Sequence, residues 1–351
     1  MKKALKIIGI IILIIVLLFG GLLIYLTTQE YKPNDIETIA VENAHDTIKL
    51  NKNNISVLSF NTGYAGLGNN ADFFMDGGKN VKSTDKERMD QNMQDINSII
   101  KSNNADFTIL QEVDQNSHRT YDFNQVNSYI KQNNLSGSFA LNYSCPFVPY
   151  PVPPIGKVNA GQLTLTPFAA NNTKRYSLPC PFSWPIRTAN LKRCLLVSHY
   201  PIENSDKELV IMNLHLEAYD DGEGKIAQTK MLLNLLEEEY AKGNYVIAGG
   251  DFNQTFPGGI DEYPMIDEKL WQPGTLDNSM LPDGWQYAYD LSTPSCRSLD
   301  KPYDINNKNN QYYTLDGFIV SPNIEISNVK VLDYNFKASD HNPVLLNATL
   351  K

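Results

Sequence analysis

Residues 245–253 read Tyr-Val-Ile-Ala-Gly-Gly-Asp-Phe-Asn, and the fold of this 351-residue chain turns on them. Four apolar residues without polar alternation read as a strand covered on both faces, as in a sheet held between other layers. The strand gives way at once to Gly249-Gly250 and then to Asp251 and Asn253. The same arrangement recurs along the chain. The run 55–60 exits on Asn61, 107–110 on Gln111-Glu112, and 209–213 on Leu214-His215. Asp316-Gly317 precedes the run 318–320, and Ser339-Asp340-His341 precedes the run 344–346. Strand ends on one edge of a layered fold meet in space whatever their separation in sequence. Singly, Asn61, Asp251-Phe252-Asn253 and Asp316-Gly317 read equally well as turns, Glu112 as a surface charge and His215 as a satisfied rim histidine. Their shared position makes them a candidate set.

Between these runs lie two helices. Thr84-Asp85-Lys86-Glu87 has the form of a capping box, and Met89, Met93, Ile96 and Ile100 then recur at helical spacing. A second helix covers roughly residues 224–242 and turns Leu232, Leu235, Leu236 and Tyr240 inward. Residues 144–187 are punctuated by Pro146, Pro149, Pro151, Pro153, Pro154, Pro167, Pro179, Pro181 and Pro185, with aromatic residues between them. Proline cannot donate to a ladder, so this region is expected to be a rigid aromatic loop with one short strand near 161–166. Cys145 and Cys180 each begin a Cys-Pro-Phe triplet, and a disulfide between them is left open. Cys194 reads as a buried thiol. With no Cys-x-x-Cys among the four cysteines, a zinc site is not indicated.

The N-terminus is a separate object. Residues 1–6 carry Lys2, Lys3 and Lys6, and 7–26 are almost wholly apolar without a charge. About 20 helical residues span a hydrocarbon core. The lysines before the span place 1–6 in the cytoplasm and the rest outside. A cleaved signal peptide is the competing reading, but no small-residue cleavage site is visible. The expected organisation is a cytoplasmic tail at 1–6, a single-pass membrane anchor at 7–27, a polar linker at 28–50, and an extracytoplasmic catalytic domain at 51–351. Lys and Arg total 30 against 39 Asp and Glu. Three of the basic residues precede the span, so the outer part is acidic and shows no nucleic-acid footprint.

The polar set is rich in oxygen donors, which suits a hard cation such as Mg²⁺ or Mn²⁺ bound through carboxylates. The histidines are then free for phosphate contact and proton transfer. Gly-Asp-Phe-Asn after an apolar strand and the terminal Ser-Asp-His-x-Pro-Val, with Gln-Glu and Asn-x-His in order before them, resemble the endonuclease/exonuclease/phosphatase superfamily, the deoxyribonuclease I-like fold. Asn-Thr-Gly-Tyr-Ala-Gly-Leu-Gly and Glu-Ala-Tyr-Asp-Asp-Gly are similar to segments of bacterial membrane-anchored members. The resemblance covers about residues 54–351. It implies an α/β four-layer sandwich, two packed mixed β-sheets flanked by helices.

It also implies roles. Glu112 would be the main metal ligand with Asn61 beside it, and Asp340 a direct or water-mediated ligand. Asp251 would orient or deprotonate the attacking water. Asn253 and His215 would hold phosphate oxygens. His341, oriented by Asp316, would be the acid/base or the phosphate-stabilising partner. Arg119 and Tyr121 follow Glu112 closely, and Arg193 and Arg297 stand where the family often places basic residues on the substrate side; all four are candidate substrate contacts. His199 and His45 read as non-catalytic. Residues 72–78 are a candidate wall of the mouth. The expectation is a metal-dependent hydrolase of phosphodiester or phosphomonoester bonds, with a lipid-derived substrate among the candidates. The alternatives are an exported nuclease with a local basic groove and a non-catalytic binding module on the same fold. No protein partner is implied.

Overall fold

The computed structural model describes residues 1–42, 48–81, 85–220 and 222–351. Its strands in the first half are β1 (Ile36–Thr38), β2 (Val41–Glu42), β3 (Asn54–Asn61), β4 (Phe107–Asp114), β5 (Ser136–Val148), β6 (Gly156–Thr166) and β7 (Asn172–Ser177). Next come β8 (Cys194–Pro201), β9 (Glu208–His215), β10 (Tyr245–Asp251), β11 (Gln254–Thr255), β12 (Gly274–Thr275) and β13 (Gln286–Ala288). The last are β14 (Cys296–Arg297), β15 (Tyr312–Tyr313), β16 (Asp316–Val320), β17 (Ile324–Val331) and β18 (Val344–Leu350). The helices are α1 (Lys2–Thr28), α2 (Lys86–Asn103), α3 (Gln125–Asn133), α4 (Glu223–Ala241) and α5 (Gly259–Glu262).

Two seven-stranded mixed sheets carry the fold, in the orders β1-β7-β8-β9-β10-β16-β13 and β17-β18-β3-β4-β6-β5-β2. Their facing sides make the inner core, where Val57, Phe107 and Ile109 meet Ile211, Ile247 and Phe318. The outer side of the first sheet is covered by Leu232 and Leu236 of α4. That of the second is covered by Met89, Met93, Ile96 and Ile100 of α2 and by Val126, Tyr129 and Ile130 of α3. The result is the expected four-layer α/β sandwich. Every strand run read as doubly buried is a central strand in it.

Two expectations change. Residues 144–187 are not mostly loop, because β5 and β6 form a long antiparallel hairpin and β7 follows. Pro146 is tolerated because the register shifts between Cys145 and Val148. Beyond Ser138 no strand among the described residues pairs with its outer side, so a missing N–H costs no ladder bond. Within residues 28–50, read as linker, β1 pairs to β7 and β2 to β5, so that each extends one sheet. Short polar strands qualify as edges through backbone hydrogen bonds, without the apolar pattern that marks a central strand. Asp85 caps α2 by accepting from Arg88 N; Thr84 and His45 lie outside the described residues. Cys145, Cys180, Cys194 and Cys296 are all free thiols, so the bridge left open is not formed.

Candidate active site

The polar set gathers at one end of the two sheets because β3, β4, β9 and β10 all run toward it. Each side chain is aimed by a local departure from regular strand. On β10, Gly249 and Gly250 lie deep between partners. A Cβ on Gly249 would strike the Phe318 ring, and one on Gly250 the Leu214 carbonyl. Only glycine lets Asp251 sit this close to both neighbours. On β4 the register shifts between Leu110 and Val113, and Glu112 has φ +53°. This bulge turns Glu112 out of the pleat toward the first sheet. After β3, Gly63 has φ +49°, and a Cβ there would lie 2.8 Å from Asp340 Oδ1. Beneath the cluster, Gln111 Nε2 donates to Asn213 Oδ1 at 2.8 Å, tying the sheets together.

Asn61 Nδ2 is the hub. It donates to Glu112 Oε1 at 3.2 Å and to Asp251 Oδ2 at 3.0 Å. Its Oδ1 accepts from Gly63 N, so the amide nitrogen, and not the oxygen a cation needs, faces the carboxylates. His215 Nε2 is 3.5 Å from Asp251 Oδ2 and 3.9 Å from Glu112 Oε1. His341 Nδ1 is 2.8 Å from Asp316 Oδ2, and its Nε2 is 3.8 Å from Asp251 and 3.9 Å from Asp340. Ser295 Oγ donates to Asp316 Oδ2 at 2.8 Å. Ser339 Oγ donates to the Asn61 carbonyl at 2.8 Å. Asn253 N donates to Asp251 Oδ1, and its Nδ2 donates to the Leu216 carbonyl.

These contacts separate the two histidines. Burial, Arg193 and His341 keep His215 neutral, well below the usual imidazole range. Burial opposes charge on His341 too, but the carboxylates of Asp316 and Asp340 overcome it and hold the imidazolium well above that range. Burial pushes Asp251 up to about 6, against His341 and with Asp316. Burial and Asp340 push Glu112 up to about 7. A neutral base and a charged acid across one cleft suit acid–base work.

The donor set fits a hard cation. Glu112, Asp251 and Asp340 crowd together with raised carboxyl pKa values, which a cation would relieve. Two tighter groupings, Cys296-Asp340-His341 and Asp251-Asp316-His341, lie within 4.8 Å. They are poorer cages. Burial pushes the Cys296 thiol up to about 12, and Asp316 is already committed to His341 and Ser295.

This crowding has a consequence for stability. The folded chain keeps protons on Glu112 and Asp251 that the unfolded chain has lost above the ordinary carboxylate range. Stability therefore falls as pH rises through about 4 to 7. Without metal, Tm is expected to be lower at about pH 8 than at about pH 5.5. Glu112→Gln should narrow that gap and raise the value at the higher pH. His215, held neutral, acts in the opposite sense, so the test is the difference between the two chains by calorimetry. An unchanged gap in the variant would refute the assignment.

Of the four candidate substrate contacts, the structure engages the three arginines with other partners. Arg119 is buried, forks onto Asp114 at 2.9 and 3.0 Å and lies over the Tyr64 ring. Tyr121 is an exposed residue at the end of a short 3-10 turn. Arg193 holds Glu217 and the His215 carbonyl, and so supports His215 from behind. Arg297 is buried against the carbonyls of Gly68, Ala71 and Ser298. Arginine's fork of donors suits closing loops onto backbone as well as binding anions, and sequence does not separate the two uses. His199 pairs with Glu208 at the far end of the sheet. Residues 72–78 do reach the mouth, where Asp76 Oδ1 accepts from Tyr219 OH at 3.2 Å. Burial and Asp340 push Asp76 up to about 7. Sequence reasoning missed Ser295 and Tyr219 as parts of the site, while Asp76 lay within the segment read as a wall of the mouth. Ser339 stood in the quoted Ser-Asp-His, and Tyr219 in the quoted Glu-Ala-Tyr; Ser295 carries no sequence signal.

No curated protein matches the sequence. Among solved structures, an endonuclease/exonuclease/phosphatase from Beutenbergia cavernae superposes with TM-score 0.59 at 17% identity, over 85% of this chain and 72% of that one. An endonuclease/exonuclease/phosphatase family protein from Bacteroides thetaiotaomicron gives 0.55 at 15% identity, over 86% and 99%. The human Nocturnin catalytic domain gives 0.52 at 16%, over 89% and 97%. At such identities the likeness concerns the fold. The sequence itself matches the family model over residues 58–341, a span that begins before Asn61 and closes on His341. The chain belongs to the endonuclease/exonuclease/phosphatase family.

Proposed function

We propose that the chain is a Mg²⁺- or Mn²⁺-dependent phosphoesterase, hydrolysing phosphodiester or phosphomonoester bonds by attack of water on phosphorus. The observation that carries this is the meeting of Asn61, Glu112, His215, Asp251, Asp316, Asp340 and His341 at one rim, with the two histidines held in opposite charge states. Glu112 and Asp340 would hold the cation, with Asn61 joining through its oxygen if the amide turns over. When bound, a divalent cation polarises a phosphoryl oxygen and stabilises developing negative charge. Asp251 aligns the attacking water and takes its proton. His341, fixed in tautomer by Asp316, presents Nε2–H to the phosphate. His215 offers a neutral imidazole beside Asp251, and Asn253 holds the Asp251 carboxylate through its backbone N–H.

A panel of phosphomonoesters, phosphodiesters and oligonucleotides, offered to the full chain in detergent with Mg²⁺, tests the reading. Turnover of the small phosphoesters is expected. No turnover of any member would refute it, and turnover of oligonucleotides alone would favour the nuclease. The acidic outer chain weighs against the nuclease, and an intact acid–base set weighs against a binding module.

We further propose that α1 is a retained anchor with the catalytic domain outside the cell membrane. It is the one helix among the described residues long and apolar enough to cross a membrane. Protease added to intact cells should release the domain. Recovery of a soluble chain trimmed near residue 28 would mean a cleaved signal.

A further inference from the structure

The end of α1 packs onto the catalytic domain. Leu26 is buried and Leu22, one turn earlier, is half-buried in a cluster with Cys145, Val148 and Val158 of the β5–β6 hairpin. Trp184 Nε1 donates to Thr27 Oγ1 at 3.1 Å. Glu30 lies 3.3 Å from both Arg187 and Lys192. Leu22 and Leu26 belong to the apolar span that fills the hydrocarbon layer. Whatever they touch lies at the outer boundary of that layer.

The hairpin they touch points the way the active site points. β4 runs toward the rim, and β6 pairs antiparallel to it with Asp114 opposite Ala160. So β5 ends and β6 begins at the rim, and the connection at 149–155 projects beyond it. That tip carries Tyr150, 69% exposed, and Val152, 90% exposed. The loop beside α1 carries Trp184, 54% exposed, and Ile186, 62% exposed. Exposed apolar side chains grouped around the end of a membrane span mark an interface, and Trp and Tyr favour the headgroup level. Tyr150 packs edge-on against Phe74, ring centroids 5.7 Å apart. Phe74 begins the turn whose Asp76 meets Tyr219 at the mouth.

We infer that the 149–155 tip and the Trp184 loop enter the membrane surface, so that the mouth faces the bilayer and takes phosphoesters displayed there, the headgroup phosphates of lipids. The surface rests on the anchor reading, and the substrate class rests on the phosphoesterase reading.

Two measurements on the full chain, in vesicles of equal parts phosphatidylcholine and phosphatidylglycerol, test it separately. In a Cys180→Ser background the remaining native thiols are buried, so an environment-sensitive dye can be placed on Val152→Cys. Its emission should rise in vesicles and be quenched by spin-labelled lipid. The same dye on Ser205→Cys, in the turn at the opposite end of the sheets, should be quenched by aqueous iodide instead. A water-exposed dye at 152 overturns the surface. The second measurement compares hexadecyl para-nitrophenyl phosphate displayed in the vesicles with methyl para-nitrophenyl phosphate in solution. Replacing Tyr150 and Val152 by serine should lower kcat/KM for the displayed ester about ten-fold or more and leave the soluble ester unchanged. Equal loss on both esters, or on neither, overturns the substrate class. A buried dye with no hydrolysis of either ester by the unaltered chain would refute the phosphoesterase reading, and with it the substrate class, and leave the membrane surface standing.

Discussion

EDTA is expected to abolish phosphoester hydrolysis by this chain, and added Mg²⁺ or Mn²⁺ to restore it. Three carboxylates, Glu112, Asp251 and Asp340, crowd one cleft with their ionised forms penalised by burial. A negatively charged phosphoester would be repelled from such a cleft unless a cation entered with it. Glu112 is the most exposed of the three and is aimed by the β4 bulge, so it is the carboxylate best placed to take the ion. Glu112→Gln keeps the shape and the acceptance from Asn61 but removes the charge. Loss of supporting groups around a metal commonly costs about 10–100-fold in affinity. Removing the principal anionic ligand should raise the Mg²⁺ needed for half-maximal rate by at least that much. Full activity in metal-free buffer, or an unchanged Mg²⁺ titration for Glu112→Gln, would contradict the arrangement.

The central strands were legible because burial on both faces leaves an apolar run, and 55–60, 107–110, 209–213 and 245–248 all proved central. The cluster was legible for a related reason. Polar residues that end such runs must emerge at the same edge, so Asn61, Glu112, His215 and Asp251 meet although widely separated in sequence. The β5–β6 hairpin was not legible. Its outer strand uses a bulge to carry Pro146, and a proline count cannot tell a bulged edge from a loop. The edge strands β1 and β2 escaped because three and two residues hold no periodicity. The arginines misled in another way. Arg119, Arg193 and Arg297 sit close to the site in sequence and space, yet they donate to Asp114, to Glu217 and to backbone carbonyls. Residue type gives charge, and only geometry tells whether the charge is free.

Asp251→Asn and His341→Ala should each lower kcat by about 10²–10⁴-fold, the usual loss of a positioned general base or acid. Asp251 holds the place where water must be aligned: its Oδ2 faces Asn61, His215 and His341, and its Oδ1 is pinned by Asn253 N. Asparagine fills the same volume and relieves a buried carboxylate, so the variant should fold at least as well as the unaltered chain, with an unchanged circular dichroism spectrum. His341 is different. Its imidazolium offsets Asp316, whose Oδ1 is buried with no hydrogen-bond partner among the described residues. His341→Ala therefore removes the group facing phosphate and also leaves a carboxylate uncompensated, so some thermal stability should go with the activity. Asp316→Asn alone should cost less rate, because it loosens the tautomer and lowers the imidazole pKa without removing the ring. The pH dependence of kcat should then shift downward on its alkaline side, where the unaltered His341 holds its proton. The double variant Asp316→Asn with His341→Ala should be no slower than His341→Ala alone, because the pair acts as one unit. It should also melt higher, because the stranded charge is gone. Additive losses of rate in the double variant would mean that Asp316 acts on the substrate independently. Wild-type rates for Asp251→Asn or His341→Ala on a hydrolysed phosphoester would place the chemistry elsewhere in the cleft.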